Sequence, residues 1–302
     1  MDTNLWKPIH FAACCETSSN LELLLKKGSN VFDITNFKQS PLHLAAINGR
    51  ADNIRVILAA QRPVWKLRDR RNKNAFAYAC ERGEIESIAA FLDSGVVKIN
   101  AGQGPDRMPP LSWAAAYGRY ELCEWLLERK ARVLSKDKYK RTPLIMAVMN
   151  GHVRIASLLL RHGSEWNHVD SSSNSVLHYA AGFGWKECID LLIQHGADIN
   201  APNMWKVTPI TIAMLKNHQG IVKELLKRDD IDVNGKDDKG RTLLTMAISD
   251  LTDPAAVDFV KYLIEKGADP TIAYVNGDTC LHHLAIYVNS KVSIMHNKET
   301  RK

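Results

Sequence analysis

The sequence predicts an all-α repeat solenoid. The prediction rests on a recurring phrase, a glycine break that follows the phrase, and an apolar stripe after the break. The phrase reads Lys7-Pro8-Ile9-His10-Phe11-Ala12-Ala13 at its first occurrence and Ser40-Pro41-Leu42-His43-Leu44-Ala45-Ala46 at its second. Its nine occurrences start at residues 7, 40, 74, 109, 142, 175, 208, 242 and 279. Intervals of 33 to 37 residues indicate one supersecondary unit repeated along the whole chain.

Each repeat carries the signals of two short helices joined by a turn. In the fifth copy the Thr142 hydroxyl can cap a helix start, and Pro143 occupies the first turn, where its missing N–H is not needed. Gly151 breaks this helix, and an apolar stripe over residues 153–160 marks the second one. Gly163 then favours a left-handed C-cap. One such pair cannot bury its own apolar face, so successive pairs must stack.

The phrase and its period resemble the Thr-Pro-Leu-His-x-Ala signature of ankyrin repeats. We therefore expect an ankyrin-repeat domain over residues 1–290 and a polar tail over residues 291–302. The resemblance implies a β-hairpin finger between successive repeats, projecting at right angles to the helices. It also implies that partners meet the finger tips and the exposed face of the first helices, which together line a concave groove.

Two stretches depart from the period, and both ends of the array are abrupt. Residues 100–110, rich in Gly and Pro, predict a longer, irregular finger, and residues 249–255 lengthen the turn inside the eighth repeat. Ala77 and Ser112 replace the phrase histidine in repeats 3 and 4, so we expect weaker bonds to the fingers there. The first repeat lacks a polar cap, and the ninth stops after one helix. These ends favour a piece of a longer protein or ends covered by a partner.

Composition favours an intracellular globular protein. Of the 302 residues, 45% are hydrophobic, and the net charge of +7 gives a mild preference for acidic partners. No secretory signal opens the chain, and no run reaches the roughly 18 apolar residues of a membrane span. We expect a cytoplasmic location, with nuclear or cytoskeletal association as alternatives. None of the six cysteines lies in a Cys-x-x-Cys pair, so we expect reduced core residues.

The phrase histidines look like a cluster for catalysis or metal binding, but their position predicts a structural role. His10, His43, His178 and His282 occupy one position of the repeat, where the resemblance implies that histidines tie the finger backbone to the helix. His282-His283 lacks further ligands at metal spacing. Neither a G-x-x-x-x-G-K-[ST] nor a G-x-S-x-G motif occurs, and no nucleophile has a plausible base. The sequence therefore predicts a non-enzymatic protein without cofactor or metal.

The predicted partner-binding surface combines the ends of the first helices with the finger tips. Large apolar, aromatic and charged residues at these positions exceed what a solvated face needs, and such residues are typical binding anchors. The alternative is that single members pack against a neighbouring helix or finger. The predicted anchors are Phe37, Arg82, Tyr117, Tyr139, Met149, Phe183, Trp205 and Leu215.

Two fingers, before repeats 3 and 5, carry clusters of basic residues. We expect them to form a positive patch for an acidic protein partner, with solvated finger tips as the alternative. Nucleic acid is not expected, because the family rarely binds it, although basic patches with aromatic residues can do so. The patch comprises Lys66, Arg68, Arg70, Arg71, Lys73, Lys138, Lys140 and Arg141.

Asn200 and Asn234 each follow an Asp-apolar pair, with Leu192 and Leu226 eight residues earlier. This spacing is similar to the sequence preferred by the asparaginyl hydroxylase that modifies ankyrin repeats in animals, which makes both asparagines candidates for hydroxylation. The alternative is that each amide ties down its turn with hydrogen bonds.

The functional prediction is a protein-interaction scaffold or adaptor that holds a partner in the groove and on the finger tips. The alternative is the substrate-recruiting ankyrin portion of a larger enzyme, such as a ubiquitin ligase, a palmitoyltransferase or a kinase. A third interpretation is a structural part of a cytoskeletal assembly. The sequence names neither the partner nor the oligomeric state.

Overall fold

Short helices in consecutive pairs dominate the computed structural model, which describes residues 5–102, 104–249, 254–273, 277–282 and 285. The chain divides into two compact parts, Met1–Ser171 and Ser172–Lys302, which we call the N-terminal part and the C-terminal part. The predicted tail 291–302 and most of the lengthened turn in repeat 8 lie outside the described residues.

Eight repeats contribute one pair of helices each, numbered in chain order. The first helices are α1 (Pro8–Cys14), α3 (Pro41–Ile47), α5 (Ala75–Arg82), α7 (Pro110–Ala116), α9 (Pro143–Met149), α11 (Val176–Phe183), α13 (Pro209–Leu215) and α15 (Leu243–Ser249). The second helices are α2 (Ser19–Lys26), α4 (Ala51–Ala60), α6 (Ile85–Asp93), α8 (Tyr120–Glu128), α10 (Val153–Arg161), α12 (Lys186–Gln194), α14 (Gln219–Leu225) and α16 (Pro254–Glu265). Residues 62–66 form a 3-10 helix, and residues 280–282 of the ninth repeat are helical.

The phrase histidines have the predicted structural role. The Nδ1 atom of His43 accepts the Ser40 N–H (3.2 Å), and its Nε2 atom donates to the Lys73 carbonyl oxygen in the next finger (3.2 Å). The same Nδ1 bond to the residue three positions earlier recurs at His10, His178 and His282. One side chain thus caps its own helix and holds the neighbouring finger.

Repeats without the histidine start their first helices differently. Asn74 caps α5 by accepting the Ala77 N–H (3.0 Å), and Thr142 accepts the Ile145 N–H at the start of α9 (3.4 Å). The buried Ser112 hydroxyl has no hydrogen-bond partner among the described residues. The fourth repeat therefore lacks the helix-to-finger bond, as the sequence predicted.

Glycine ends the first helix where the next repeat makes its closest approach. Gly118 and Gly184 adopt left-handed backbone angles (φ +72° and +76°), and a Cβ atom on either would lie 2.7 Å from the ring of His152 or His218. The His152 ring donates from Nε2 to the Ala116 carbonyl oxygen (3.2 Å). Carbonyl groups that a helix end leaves unpaired are thereby satisfied by the following repeat.

Helices of adjacent repeats pack in two layers. In the N-terminal part α3 packs against α1 and α5, and α4 packs against α2 and α6; in the C-terminal part α11 packs against α13. The layers meet in a core of fully buried residues, where the rings of Phe76 and Phe91 are 5.5 Å apart and edge-to-face. Leu177, Leu192 and Ile210 fill the equivalent core of the C-terminal part.

Fingers form closed five-residue turns. The Asp137 N–H donates to the Arg141 carbonyl oxygen (3.1 Å), and the Asp137 carboxylate accepts the N–H groups of Tyr139 and Arg141 (both 2.8 Å). The same turn starts at Thr35, Asp69, Asn203 and Asp237. The described fingers contain no continuous strand, because the flanks of each turn pass directly into helix caps and loops. The implied hairpin pairing is represented by isolated bridge residues: Ala273 and Thr279 form an antiparallel bridge, and Met108, Val169 and Ser175 are also bridge residues.

Successive fingers are joined by main-chain hydrogen bonds. In the N-terminal part the N–H of Arg70 donates to the Phe37 carbonyl oxygen (3.1 Å), and that of Lys138 donates to the Asp106 carbonyl oxygen (2.9 Å). In the C-terminal part Met204 donates to Ser172 (3.1 Å) and Asp238 to Trp205 (2.9 Å). The tips are therefore held side by side within each part.

The cysteines are free thiols. Cys80, Cys123, Cys188 and Cys280 are buried, as predicted, and Cys14 and Cys15 are half-buried. Burial raises the pKa of Cys123 to about 12. No described helix is both long enough and apolar enough to cross a bilayer.

Replacing Leu192 with Ala should lower the free energy of unfolding by about 2–5 kcal/mol, because this fully buried side chain would leave a cavity. Leu215→Ala is the matched control. Leu215 is exposed, so its truncation should change stability by no more than about 0.5 kcal/mol. Urea unfolding followed by circular dichroism measures both, and equal losses would contradict the assignment of Leu192 to the core.

Acid should destabilise the fold through His43. Burial holds the pKa of His43 below its ordinary value, so the unfolded chain binds this proton more readily than the folded one. The contribution is fully present above about pH 6.5 and is lost as the pH falls toward the folded pKa, at up to about 1.4 kcal/mol per pH unit. Urea titrations at neutral and acidic pH should show a smaller acid loss for His43→Gln, and an unchanged loss would refute this role.

Candidate partner-binding surface

Apolar side chains surround a cleft between α11 and α13 in the C-terminal part. Phe183 and Leu215 are the last residues of these helices, and both are exposed. The cleft has a volume of about 290 Å³ and is lined by Asn174, His178, Tyr179, Gly182, Phe183, Ile212 and Lys216. The lining combines apolar and aromatic side chains with the polar Asn174 and His178 and the basic Lys216.

The finger before α13 adds two large side chains to this part. Met204 and Trp205 are exposed at its tip, directly before Lys206. The Asn203 side chain holds the backbone of this turn in place, because it accepts the N–H groups of Trp205 and Val207 (both 3.0 Å). Three predicted anchors of the C-terminal part, Phe183, Trp205 and Leu215, are thus all accessible.

The predicted anchors of the N-terminal part divide into exposed and half-buried residues. Phe37 and Tyr139 are 53% and 43% exposed at finger tips, and Arg82 is exposed at the end of α5, where it forms an ion pair with Glu84 (3.3 Å). Tyr117 and Met149, at the ends of α7 and α9, are half-buried.

Tyr117 belongs to a polar and aromatic cluster inside the N-terminal part. Its ring stacks on Trp113 at 5.6 Å, and its hydroxyl accepts a hydrogen bond from Lys73 Nζ (3.2 Å). Lys73 also forms an ion pair with Glu81 (2.8 Å). Burial lowers the pKa of Lys73, but its bonds to Glu81 and Tyr117 outweigh burial and raise it. Packing against a neighbouring finger, the alternative for single anchors, therefore applies to Tyr117.

Internal ion pairs occupy three of the eight predicted patch residues. Besides Lys73, Lys138 pairs with Asp106 (2.6 Å), and Arg141 pairs with the buried carboxylate of Asp137 (2.7 Å). Because the Asp137 carboxylate is buried inside its turn, its ion pair with Arg141 contributes to the structure of that turn. The other five patch residues are exposed: Lys66, Arg68, Arg70, Arg71 and Lys140.

The structure adds cations that were not among the predicted residues. Lys38, Arg107 and Lys206 are exposed at the left-handed position of their fingers, with φ of +58°, +53° and +56°. Lys140 occupies the same position, and Gly240 occupies it in the finger before α15. Aligning the finger sequences would have revealed this recurrence. Lys38, Lys140 and Lys206 each lie three residues after the first residue of their turn, and Arg107 lies one residue before the buried flank that follows it.

Asn200 and Asn234 each bridge to the next repeat. The Asn200 side chain donates to the Asp230 carbonyl oxygen (2.7 Å) and accepts the Asp232 N–H (2.8 Å). The Asn234 side chain makes the equivalent bonds to Gly267 (3.0 Å) and Asp269 (2.9 Å). Both side-chain amides therefore hold the following loop by hydrogen bonds. Hydroxylation stays a prediction, and it requires these bonds to open.

No described residues group three or more His, Cys, Asp or Glu side chains in a way that could hold a metal ion. The phrase histidines use their ring nitrogens for capping and for finger carbonyl groups instead. The surface can therefore be understood through shape, apolar contact and charge.

The models of ankyrin repeats match residues 24–79, 61–137, 111–203 and 201–274. With the paired helices and finger turns, these matches show that the chain belongs to the ankyrin-repeat family. The predicted fold class is thereby confirmed. Ankyrin repeats are protein-interaction modules, and the repeats themselves are non-catalytic.

Curated relatives contain this array within longer chains. The chain is 33% identical to poly [ADP-ribose] polymerase tankyrase of Caenorhabditis elegans across 93% of its own length, which is 13% of that protein. It is 35% identical to the mouse B-cell lymphoma 3 protein homolog across 63% of its length, or 43% of that protein. E3 ubiquitin-protein ligase KEG of Arabidopsis thaliana is 26% identical across 84% of the chain, or 17% of the ligase. The chain thus spans less than half of each.

If an asparaginyl hydroxylase acts on this chain, Asn234 should be modified more than Asn200. Modification needs an extended, opened turn, and local opening is easier next to less stable repeats. Asn234 precedes the repeat with the lengthened turn. Peptide mass spectrometry after incubation with the enzyme measures the oxygen added at each residue. Modification of Asn200 alone would contradict the opening argument, and no mass shift at either would leave the structural role alone.

Proposed function

We propose that this chain is a protein-interaction scaffold or adaptor that holds a partner against its finger tips and first-helix ends. The observation that carries the proposal is the set of exposed apolar residues Phe183, Trp205 and Leu215, of which Phe183 lines the cleft between α11 and α13. Buried aromatic and aliphatic anchors supply most of the affinity in protein interfaces. A solvated face has no need of such residues at matching positions of adjacent repeats.

The proposed partner is a protein, acidic at least in part, and nucleic acid is not proposed. The support for an acidic partner is the net charge of +7 and the exposed cations on the fingers. We place the protein in the cytoplasm, which the free thiols in its core fit, because such a compartment keeps thiols reduced.

A second candidate is the substrate-recruiting portion of a larger enzyme. Its support is the likeness to a poly [ADP-ribose] polymerase and to an E3 ubiquitin-protein ligase, each of which is matched over less than a fifth of its length. In that case the surface would have the same binding role, and the reaction would belong to other domains. An antibody raised against this chain would distinguish the candidates by the mass of the native protein it detects.

Binding should depend on Phe183 and Leu215. The change Phe183→Ala with Leu215→Ala should weaken partner binding by about 2 kcal/mol or more, because each removes an exposed apolar anchor at the end of a first helix. Helical circular dichroism should stay unchanged, since both side chains are exposed. The measurement is quantitative capture of proteins from cell extract by the immobilised chain, followed by titration of the main captured protein.

Ile264→Ala provides a matched control. Ile264 is 50% exposed and Leu215 is 51% exposed, but Ile264 lies on the second helix α16, away from the first-helix ends and finger tips. It should leave partner binding intact. Equal losses from Ile264→Ala and from the cleft variant would refute the proposed surface.

A further inference from the structure

Carboxylates on the finger tips of the N-terminal part are already neutralised by internal contacts. The Asp69 carboxylate accepts the N–H groups of Arg71 and Lys73 (both 2.9 Å) within its own turn. Asp137 pairs with Arg141 and is buried, and Asp106 pairs with Lys138. The acidic residues of these fingers therefore shape the turns and the ion pairs between them.

Five cations on the same tips are exposed and not neutralised. Their side chains make no ion pair or hydrogen bond to any described residue, although the backbone of each belongs to a finger turn. They are distributed over four fingers: Lys38, Arg70, Arg71, Arg107 and Lys140. The tips thus present unpaired positive charge on ordered turns, because main-chain bonds join the Phe37 finger to Arg70 and the Asp106 finger to Lys138.

An aromatic ring precedes two of these cations directly. Phe37 comes before Lys38 and Tyr139 before Lys140, and both rings are exposed. Tyr139 already has two cations over its ring, with Lys138 Nζ and Arg141 Cζ each 4.8 Å from the centroid. Exposed rings next to exposed cations can contact apolar side chains while the cations pair with carboxylates. The arrangement therefore fits an acidic protein segment with apolar side chains, and a single-stranded nucleic acid is the competing ligand in the test.

We propose that the finger tips of the N-terminal part bind an acidic protein segment that carries apolar side chains. Its carboxylates would pair with Lys38, Arg107 and Lys140, and its apolar side chains would contact Phe37 and Tyr139. This proposal rests on the proposed function, since it names the partner chemistry for one region of the same binding surface.

The left-handed backbone of the tip provides a test that separates binding from folding. Lys38, Arg107 and Lys140 have φ between +53° and +61°. Glycine adopts this backbone conformation without strain, whereas residues with a Cβ atom do not. Gly240 occupies this position in another finger, so the turn accepts glycine. The triple change Lys38→Gly, Arg107→Gly and Lys140→Gly should therefore keep or raise the melting temperature while removing three cations.

The probe is a fluorescent peptide repeating Glu-Glu-Leu, titrated with the full chain and followed by anisotropy. The peptide should bind the full chain, and its affinity should fall with added salt. It should bind the triple variant roughly tenfold more weakly. A peptide repeating Gln-Gln-Leu should bind more weakly than the Glu-Glu-Leu peptide. A peptide of glutamate alone should also bind more weakly, because it cannot contact Phe37 and Tyr139.

Lys130→Gly is the matched control for Lys140→Gly. Lys130 is also exposed and left-handed (φ +62°), but it follows α8 and lies outside the fingers. Each change removes one charge and one unfavourable backbone conformation. Lys140→Gly should weaken peptide binding roughly two- to threefold, whereas Lys130→Gly should leave it unchanged.

Three results would overturn the proposal: equal affinity for the Glu and Gln peptides, unchanged affinity of the triple variant, or tighter binding of oligothymidylate than of the acidic peptide. The proposed function is tested separately, because Phe183 and Leu215 lie in the C-terminal part. Capture that depends on those two residues, combined with failure of the peptide experiment, would retain the scaffold and reject only its acidic partner.

Discussion

Hydrogen bonds from one repeat to the backbone of the next are the interaction on which the rest of this structure depends. His43 caps its own helix and holds the Lys73 carbonyl oxygen, and Asn200 ties two backbone groups of the following loop. In the other direction, His152 satisfies a carbonyl oxygen at the end of α7. In these described repeats a neighbour completes the hydrogen bonding, and the apolar layers between repeats are buried at the same contacts.

The same bonds make the finger tips suitable for binding. A five-residue turn has little stability by itself, yet here a side-chain carboxylate or amide closes it from inside, and a main-chain bond fastens it to the adjacent finger. Because the order of the turn comes from these internal contacts, the outward side chains have no structural task. Phe37, Tyr139 and Trp205 can therefore remain exposed, and a partner would meet side chains that are already positioned.

Electrostatics divides the charged residues into two groups with different roles. Asp137 and Arg141 form an ion pair that stabilises their turn. Lys73, Glu81 and Tyr117 bind one another in a cluster between fingers and first helices. Ion pairs of this kind set geometry more than they attract a partner. The remaining cations are exposed, where screening is strong, so in the proposed complex they would favour encounter and selectivity more than affinity.

Local patterns in the sequence were sufficient for the fold. The helix starts at Pro143 and its equivalents and the break at Gly118 depend on neighbours within a few residues, so they can be read from one repeat at a time, and the spacing of the phrase along the chain supplies the period. The bond from the histidines to the finger backbone was implied by the family resemblance, whereas their capping of the first helices was not predicted.

Only the tertiary structure decided which surface residues are free to bind. Lys73 and Tyr117 lie 44 residues apart in sequence, and Asp106 and Lys138 pair across successive fingers, so no local pattern shows that these groups are occupied. The position that Lys38 and Lys140 share can be found by aligning the finger sequences, but its left-handed backbone is likewise visible only in the structure. Exposure and pairing depend on contacts one repeat away, and those contacts exist only after the repeats have stacked.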